Sequence, residues 1–152
     1  MTNSLKHTPL FDWHVANGAK TADFGGWDMP IEYSGIVAEH LAVRSDVGVF
    51  DVSHMGKVQI QGEGAAAWLN TVVASDLEAI PFGKAQYSML LNETAGVIDD
   101  LIVYKFAPDH VWIVPNASNA PAVVAALQTV VPAGITISDL HNSHGIVAIQ
   151  GP

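Results

Sequence analysis

Three strand-like segments follow one another in the middle of the chain with no helical pattern between them. They cover residues 85–92, 96–107 and 110–115. Connections this short join antiparallel strands, because parallel strands need a crossover of a dozen residues or more. Helical patterns occur elsewhere, and the overall order is close to α, α, β, α, β, β, β, α, β, β. We therefore predict an α+β fold with a largely antiparallel sheet and packed helices.

The composition is typical of a globular domain with a hydrophobic core. Hydrophobic residues make up 49% of the 152 residues, and 15 acidic residues against 6 basic ones give a formal net charge of −9. This charge argues against nucleic acid or an anionic membrane surface as the partner. The chain has no cysteine, which excludes disulfides and thiol catalysis. Neither a signal-peptide pattern nor a membrane-spanning pattern is visible, and we expect a cytoplasmic protein.

The second of these strands opens with two adjacent carboxylates, Asp99 and Asp100, in an apolar run. Neighbouring side chains of a strand point to opposite faces, so one carboxylate is expected to face outward and the other inward. An inward carboxylate in an apolar strand is costly unless a partner compensates for it. The pair is therefore the first candidate for chemistry. The alternative, which composition alone favours, is that both aspartates cap backbone amides at the mouth of a hairpin.

Three other residues are candidates for the same site, each with an ordinary alternative. Tyr87 lies on the preceding strand and can reach the same pocket as Asp100 if the two strands form a hairpin; otherwise it is a common sheet residue. Asn116 follows the third strand, where asparagine is most often a turn residue. Met55 lies beside His54 in a segment, 51–61, that we predict as one strand, and a core methionine is nearly as plausible. The histidines and carboxylates do not show ligand spacing, so we predict no metal site.

Several longer segments carry a family resemblance. DVSHMG (51–56) and GVIDDL (96–101) are specific when found together at this separation. The other matching segments, in chain order, are TPLFDWHVANGAKTADFGGWDMPIEYSG (8–35), AEHLAVRSDVGVFDVSHMG (38–56), VPNASN (114–119) and AIQGP (148–152). Together they resemble the N-terminal part of the aminomethyltransferase family, the folate-dependent T-protein of the glycine cleavage system, whose chains are much longer.

The resemblance implies a reaction and roles for the candidate residues. It implies transfer of the methylene carbon from an aminomethyl-lipoyl carrier, the H-protein, to the co-substrate tetrahydrofolate, with release of ammonia. Asp100 corresponds to the carboxylate that assists attack by N10 of the folate, and Asp99 is the runner-up. Tyr87 and Asn116 correspond to pterin contacts, and Met55 to a wall of the folate pocket.

The chain departs from the family pattern at two residues near the candidate site. Pro115 stands where the family more often has valine, and proline removes a backbone donor. Ala95 replaces one glycine of a Gly-Gly turn, and we expect any demand for a positive φ to fall on Gly96.

The segments suggest a division of the chain. We predict that residues 1–50 form a helical and loop segment of a first domain, 51–135 an α+β folate-binding region, and 136–152 strands that return to the first domain. Within the first segment, Thr8 is predicted to cap a helix, Ser34 to cap a second one, and residues 19–35 to form an irregular loop.

The last strand stops at Gly151-Pro152, where such a strand usually continues, which indicates a truncated or divided polypeptide. We expect such a chain to show no aminomethyl transfer by itself, weak folate binding at best, and self-association through an exposed apolar surface.

Three alternatives to the aminomethyltransferase interpretation remain at this point. One is another folate-dependent enzyme, such as a demethylase or the folate domain of a sarcosine or dimethylglycine oxidase. The second is a non-catalytic folate-binding protein, which would be expected to lack Asp100. The third is an inert fragment with an incomplete pocket.

Overall fold

The structure, a computed structural model, describes residues 4–152, and these divide into two compact units. Unit 1 combines the residues up to His54 with Ser143–Pro152, and unit 2 is Met55–Asn142. The predicted segment 136–152 is therefore split between the units. Residues 1–3 of the predicted first segment lie outside the described residues.

The described part of the chain contains four helices and nine strands. In chain order they are α1 (Phe11–Ala16), β1 (Lys20–Phe24), β2 (Trp27–Glu32), α2 (Ile36–Ser45), β3 (Gly48–Asp51), β4 (Val58–Gln61), α3 (Ala65–Asn70), β5 (Lys84–Leu91), β6 (Val97–Ala107), β7 (His110–Pro115), α4 (Ala120–Val130), β8 (Thr136–Asp139) and β9 (Val147–Gln150). Every pairing between these strands is antiparallel. The predicted α+β fold with an antiparallel sheet is confirmed. None of the helices within residues 4–152 has the length and apolar character needed to cross a bilayer.

Unit 2 is built on a five-stranded sheet with the order β5-β6-β7-β4-β8. One face of this sheet is covered by α3 and α4, and the core lies between the sheet and these two helices. The alternation of side chains on β6 and β7 is the physical basis of this layer, since every second residue is buried. The most deeply buried apolar side chains of the core are Val58, Ile60, Leu69, Leu77, Leu101, Val103, Val111, Ile113, Val123 and Leu127.

The opposite face of the same sheet, which we call the outer face, carries large exposed side chains. Tyr87 is 62% exposed, Phe106 47%, Met89 40% and Tyr104 39%. Asp100 is also exposed and has the same strand parity as Tyr104 and Phe106. The outer face is therefore a mixed aromatic and acidic surface rather than a second core.

The prediction of an irregular loop over residues 19–35 is wrong, because β1 and β2 form a hairpin there. Its two-residue turn consists of Gly25 and Gly26, with φ values of 63° and 85°. Positive φ at both central residues is what a tight hairpin turn of this kind requires, and glycine adopts it without steric cost. The Asp23 carboxylate also accepts a hydrogen bond from the Gly26 N–H at 2.9 Å.

The prediction of one strand over residues 51–61 is also wrong. β3 ends at Asp51 and β4 begins at Val58, with a turn between them. The turn starts where Asp51 Oδ1 accepts the N–H of Ser53 at 2.9 Å, the local bond by which aspartate side chains initiate turns. His54 and Met55 consequently lie in a turn, where the alternation of a strand does not apply.

The predicted helix caps also differ from the structure. α1 begins at Phe11, and the Thr8 hydroxyl donates instead to Asp51 Oδ2 at 2.6 Å. At α2, the capping role predicted for Ser34 is filled by Glu39. One oxygen of the Glu39 carboxylate accepts the N–H groups of Tyr33, Ser34 and Gly35 at 2.7, 2.7 and 3.0 Å. An acidic side chain near a helix N-terminus is also favoured by the helix dipole.

In the turn between β5 and β6, the residue with a positive φ is Ala95. Ala95 has a φ of 63°, whereas Gly96 lies outside the left-handed region, so the expectation for Gly96 is wrong. A Cβ at residue 96 would lie 2.9 Å from Nδ2 of Asn92, so a larger residue there would displace the Asn92 side chain. The Asn92 side chain in turn accepts the N–H of Gly96 at 2.8 Å.

Candidate functional site

Tyr87, Asp100 and Asn116 meet at one end of the outer face. β5 and β6 pair so that Tyr87 lies opposite Ile102 and Met89 lies opposite Asp100. The Tyr87 hydroxyl therefore reaches Asp100 diagonally and donates a hydrogen bond to its Oδ2. Asn116, at the end of β7, donates from Nδ2 to Asp100 Oδ1 at 3.0 Å. The structure thus brings these three residues together.

Asp99 points to the opposite face and is 2% exposed. Its carboxylate accepts the backbone N–H of Asn116 at 2.8 Å, the side-chain amide of Asn116 at 2.9 Å, and the side-chain amide of Asn119 at 2.6 Å. These three bonds compensate a buried carboxylate that would otherwise be very unfavourable. Asp99 is therefore the inward aspartate, whereas the family resemblance assigns the chemistry to the outward Asp100.

The same bonds orient the side chain of Asn116. Its NH₂ group is directed at both aspartates, since it also lies 2.9 Å from the backbone oxygen of Asp100. The amide oxygen of Asn116 is then left as an acceptor on the side away from the carboxylates. Asn119, which immediately precedes α4, completes this arrangement. Asn119 was not among the residues predicted for the site, although its N-x-x-N spacing from Asn116 at a helix start points to it.

Met55 lies in the turn before β4 and is half-buried. The next residue, Gly56, donates its N–H to the carbonyl of Pro115 at 2.8 Å. This bond places the backbone at Met55 beside the strand end that carries Asn116. A Cβ at residue 56 would come within 2.6 Å of Pro115 Cγ and 2.7 Å of Ala120 Cβ, so the close approach requires glycine. The contact predicted between Met55 and a ligand stays a prediction.

The arrangement around Asp100 is suited to acid–base or electrostatic chemistry. Each carboxylate oxygen accepts one hydrogen bond, from Tyr87 or from Asn116, and each retains a further acceptor site. The carboxylate is thereby held in one orientation while it stays accessible from the outer face. Such a group can accept a proton from a bound amine or stabilise a positive charge that develops next to it.

A cavity of about 180 Å³ lies elsewhere in unit 2, beside Lys105. It is lined by residues that include Leu77, Glu78, Phe82 and Pro108. The Lys105 ammonium group donates to the carbonyls of Leu77 and Ile80 at 2.7 and 2.9 Å. Lys105 therefore fixes the segment 77–80 on the core side of the sheet. We place the candidate site at Asp100 and not at this cavity, because the groups suited to acid–base chemistry converge on Asp100. Among residues 4–152, the His, Asp and Glu side chains do not form a group of three that could hold a metal ion.

Residues 10–152 match the family model described as the GCVT N-terminal domain. The chain belongs to this family. Two curated relatives of the chain are aminomethyltransferases. The one from Parafrankia sp. is 51% identical over 150 residues, and the one from Mycobacterium avium is 53% identical over 148 residues. Each alignment covers 97% of the present chain and 41% and 40%, respectively, of the relative. The predicted family is confirmed, and the chain spans about two fifths of the length of these relatives.

A solved structure supports the same fold assignment for the GCVT N-terminal domain chain. The crystal structure of the glycine cleavage system aminomethyltransferase T from Bartonella henselae superposes with a TM-score of 0.89 at 38% identity. The match covers 98% of the present chain and 41% of that structure.

Proposed function

We propose that this chain supplies the folate-facing part of a glycine cleavage system aminomethyltransferase in the cytoplasm. The reaction transfers the methylene carbon from the aminomethyl-lipoyl group of an H-protein to tetrahydrofolate and releases ammonia. The observation that carries the proposal is the convergence of Tyr87, Asp100 and Asn116 on one face of a GCVT N-terminal domain chain. The relatives are longer, so the complete reaction is proposed for this chain joined to such a remainder.

Asp100 is the catalytic residue in this proposal. As a folate nitrogen attacks the aminomethyl carbon, the nitrogen becomes acidic and the Asp100 carboxylate accepts its proton. Before it takes up this proton, the Asp100 carboxylate stabilises the cationic character of the carbon as the bond to ammonia breaks. The bond from the carbon to the lipoyl sulfur breaks when a second folate nitrogen closes the methylene bridge, and the sulfur leaves as the thiol of the dihydrolipoyl group. Asp100 is exposed in this chain, and exclusion of water by the remainder of a longer enzyme would strengthen this electrostatic effect.

Tyr87 and Asn116 bind the pterin ring in this proposal. The Tyr87 ring is 62% exposed, so it can cover a flat heterocycle while its hydroxyl holds Asp100. The amide oxygen of Asn116 is available to accept an N–H from the aminopyrimidinone edge of the ring. Asp99 is a positioning residue, because it acts on the ligand only through Asn116.

The names of the relatives favour this function over the other folate-dependent classes. Both relatives described above are aminomethyltransferases. A non-catalytic folate-binding protein would not need a carboxylate at residue 100, and the two hydrogen bonds that orient Asp100 argue for its use in chemistry.

The test joins this chain to the C-terminal remainder of the Mycobacterium avium relative and measures aminomethyl transfer from loaded H-protein. Asp100→Asn is expected to lower kcat by about 10²-fold or more, the usual scale of acid–base assistance. Affinity for tetrahydrofolate, measured by calorimetry, should change little. Asp109→Asn, an exposed aspartate in the turn between β6 and β7, is the matched control and should keep full activity.

Two outcomes would contradict the proposal. Full activity of the Asp100→Asn chimera would remove Asp100 from the chemistry. Failure of the unsubstituted chimera to bind tetrahydrofolate, while it remains folded by circular dichroism, would remove the folate-facing role of this chain.

A further inference from the structure

Three side chains of unit 1 form a hydrogen-bonded series, and none of them belongs to the Asp100 site. The inner end of the series is Asp51, whose side chain is 1% exposed, and its middle is His14, whose side chain is 5% exposed. His14 Nε2 lies 2.9 Å from Asp51 Oδ2. Asp51 also accepts the Thr8 hydroxyl at 2.6 Å and the Ser53 N–H at 2.9 Å.

The outer end of the series is Tyr33, whose hydroxyl lies 2.5 Å from His14 Nδ1. Asp51 can only accept, so the ring proton of His14 is assigned to Nε2. Nδ1 is then a free base position, and it accepts the hydroxyl proton of Tyr33. A hydroxyl, an imidazole and a buried carboxylate in this order are the elements of an activated nucleophile.

Tyr33 is held firmly and still reaches solvent. Its backbone N–H donates to Glu39 at 2.7 Å, and the Trp13 ring packs edge-on against its ring at 6.2 Å. Tyr33 nevertheless remains 38% exposed. Burial, together with the negative charges of Asp51 and Glu39, raises the pKa of Tyr33. The phenol is therefore protonated at neutral pH and needs a base for any reaction as a nucleophile.

We propose that Tyr33, His14 and Asp51 form a nucleophilic tyrosine site for activated acyl and sulfonyl compounds. The Tyr33 oxygen attacks the electrophilic carbonyl carbon or sulfur, and its proton passes to His14 Nδ1. The bond to the leaving group breaks as the aryl ester or sulfonate forms, and the leaving group departs with the bonding electron pair. Asp51 holds the Nε2–H of the resulting imidazolium. The site is independent of the function proposed for Asp100.

The chain contains three tyrosines, and this provides internal controls. The intact 152-residue chain is treated with benzenesulfonyl fluoride, and modification of each tyrosine is followed by peptide mass mapping. Tyr104 is the matched comparison, because it is 39% exposed, against 38% for Tyr33. Its ring stacks on Phe106, whereas the Tyr33 hydroxyl is hydrogen-bonded to a histidine. We expect Tyr33 to be modified at least about 10²-fold faster than Tyr104, the lower end of the usual range for general-base assistance.

His14→Gln separates activation from simple exposure. Glutamine can accept from Tyr33 and donate to Asp51, so it can preserve the hydrogen-bonded chain, but it cannot take up a proton. This variant should keep its fold by circular dichroism and lower the Tyr33 rate to that of Tyr104. Tyr33→Phe should abolish the fast modification and leave Tyr87 and Tyr104 unchanged. Equal rates for Tyr33 and Tyr104 in the unsubstituted chain would overturn the proposal, as would an undiminished Tyr33 rate in a folded His14→Gln chain.

Discussion

Tyr87 and Asp100 are hydrogen-bonded diagonally across the β5–β6 hairpin, not as a directly opposed pair. The direct partner of Asp100 is Met89, and that of Tyr87 is Ile102. A diagonal contact on one face lets both side chains lean toward the same point while each retains an exposed edge. The relationship couples the orientation of the acid to the aromatic ring beside it.

Removal of the Tyr87 hydroxyl is therefore expected to affect both binding and orientation. In the chimeric enzyme, Tyr87→Phe should lower kcat/KM for tetrahydrofolate by about 10- to 10²-fold, because a hydrogen bond to a charged group contributes about 1.5–3 kcal/mol. Tyr104→Phe makes the same chemical change on the same face of the sheet and is the control. Steady-state kinetics decide the point, and equal effects of the two substitutions would show that the Tyr87 hydroxyl has no special role.

Asp99 is expected to matter more for stability than Asp100. Asp99→Ala leaves the backbone N–H of Asn116 and the amide of Asn119 without their acceptor, and unsatisfied buried donors are costly. We expect the free energy of unfolding to fall by about 3 kcal/mol, measured by urea denaturation. Asp100→Ala removes an exposed side chain and should change the free energy of unfolding by less than about 1 kcal/mol. A larger loss for Asp100→Ala than for Asp99→Ala would contradict the assignment of the inward carboxylate.

The stability of unit 1 should depend on the ionised state of Asp51. Burial acts to raise the pKa of Asp51, but hydrogen bonds from Ser53, Thr8 and His14 outweigh it and hold the pKa below its ordinary value. A carboxyl whose pKa is lower in the folded state stabilises the fold above the unfolded-state pKa, near 3.9. That contribution disappears as the pH falls through the folded-state pKa.

The measurement compares unfolding of the unsubstituted chain with that of Asp51→Asn. The difference in unfolding free energy between the two should shrink as the pH falls below about 4. Protonation of the other carboxylates affects both chains alike and cancels in the difference. A gap that widens on acidification would show that the sign of the Asp51 effect is reversed.

Ala95 offers a substitution that should stabilise the chain. Its φ of 63° places an L-residue in the left-handed region, at a cost of about 1–2 kcal/mol. Ala95→Gly removes this cost and should raise the free energy of unfolding by about 0.5–1 kcal/mol after the greater entropy of glycine is subtracted. Ala85→Gly, in extended backbone of β5, is the control and should lower it by a similar amount. Thermal denaturation of both variants tests whether the free energy of unfolding rises in Ala95→Gly and falls in Ala85→Gly.

The outer face should promote self-association of the chain. Phe106 and Tyr104 stack there while remaining 47% and 39% exposed, and exposed apolar patches of this kind favour contacts between molecules. Phe106→Glu should lower the weight-average mass at high concentration in sedimentation equilibrium. Val130→Glu makes the same charge change at an exposed residue at the end of α4 and should leave the mass unchanged. Equal effects would point to net charge as the cause.

Local pattern predicted β5, β6 and β7 of the unit 2 sheet, because these strands alternate and their connections are short. The short connections within residues 85–115 predicted the antiparallel order, whereas a shared pocket for Tyr87 and Asp100 was predicted only on condition that the two strands form a hairpin. The predictions from sequence were wrong where another side chain took over a capping role or where a predicted cap bonds to a distant side chain. Ser34 and Thr8 have the composition of helix caps, yet Glu39 caps α2 and Thr8 binds Asp51.

Two features of unit 1, the β1–β2 hairpin and the hydrogen bonds through His14, were not predicted from the sequence. The Gly25-Gly26 pair carried the signal of a hairpin, but the aromatic residues around it suggested a loop. The chain of hydrogen bonds through His14 joins residues 19 and 37 positions apart, and no periodicity in the sequence marks such a separation. The prediction for the Asp100 site depended on family resemblance, since alternation alone does not say which aspartate faces the core.

The pairing of β3 with β9 makes unit 1 discontinuous in sequence, with all of unit 2 inserted between its last two strands. Unit 2 is continuous, and the Leu140 N–H donates to the carbonyl of Lys57 at 2.8 Å, so its two ends meet. A folded unit 2 therefore acts as a short connection between β3 and β9. Even for a flexible loop, each doubling of its length would raise the entropic cost of closure by only about 0.6 kcal/mol. During synthesis β3 emerges from the ribosome long before its partner, so unit 2 can fold first, and unit 1 closes only when β9 arrives.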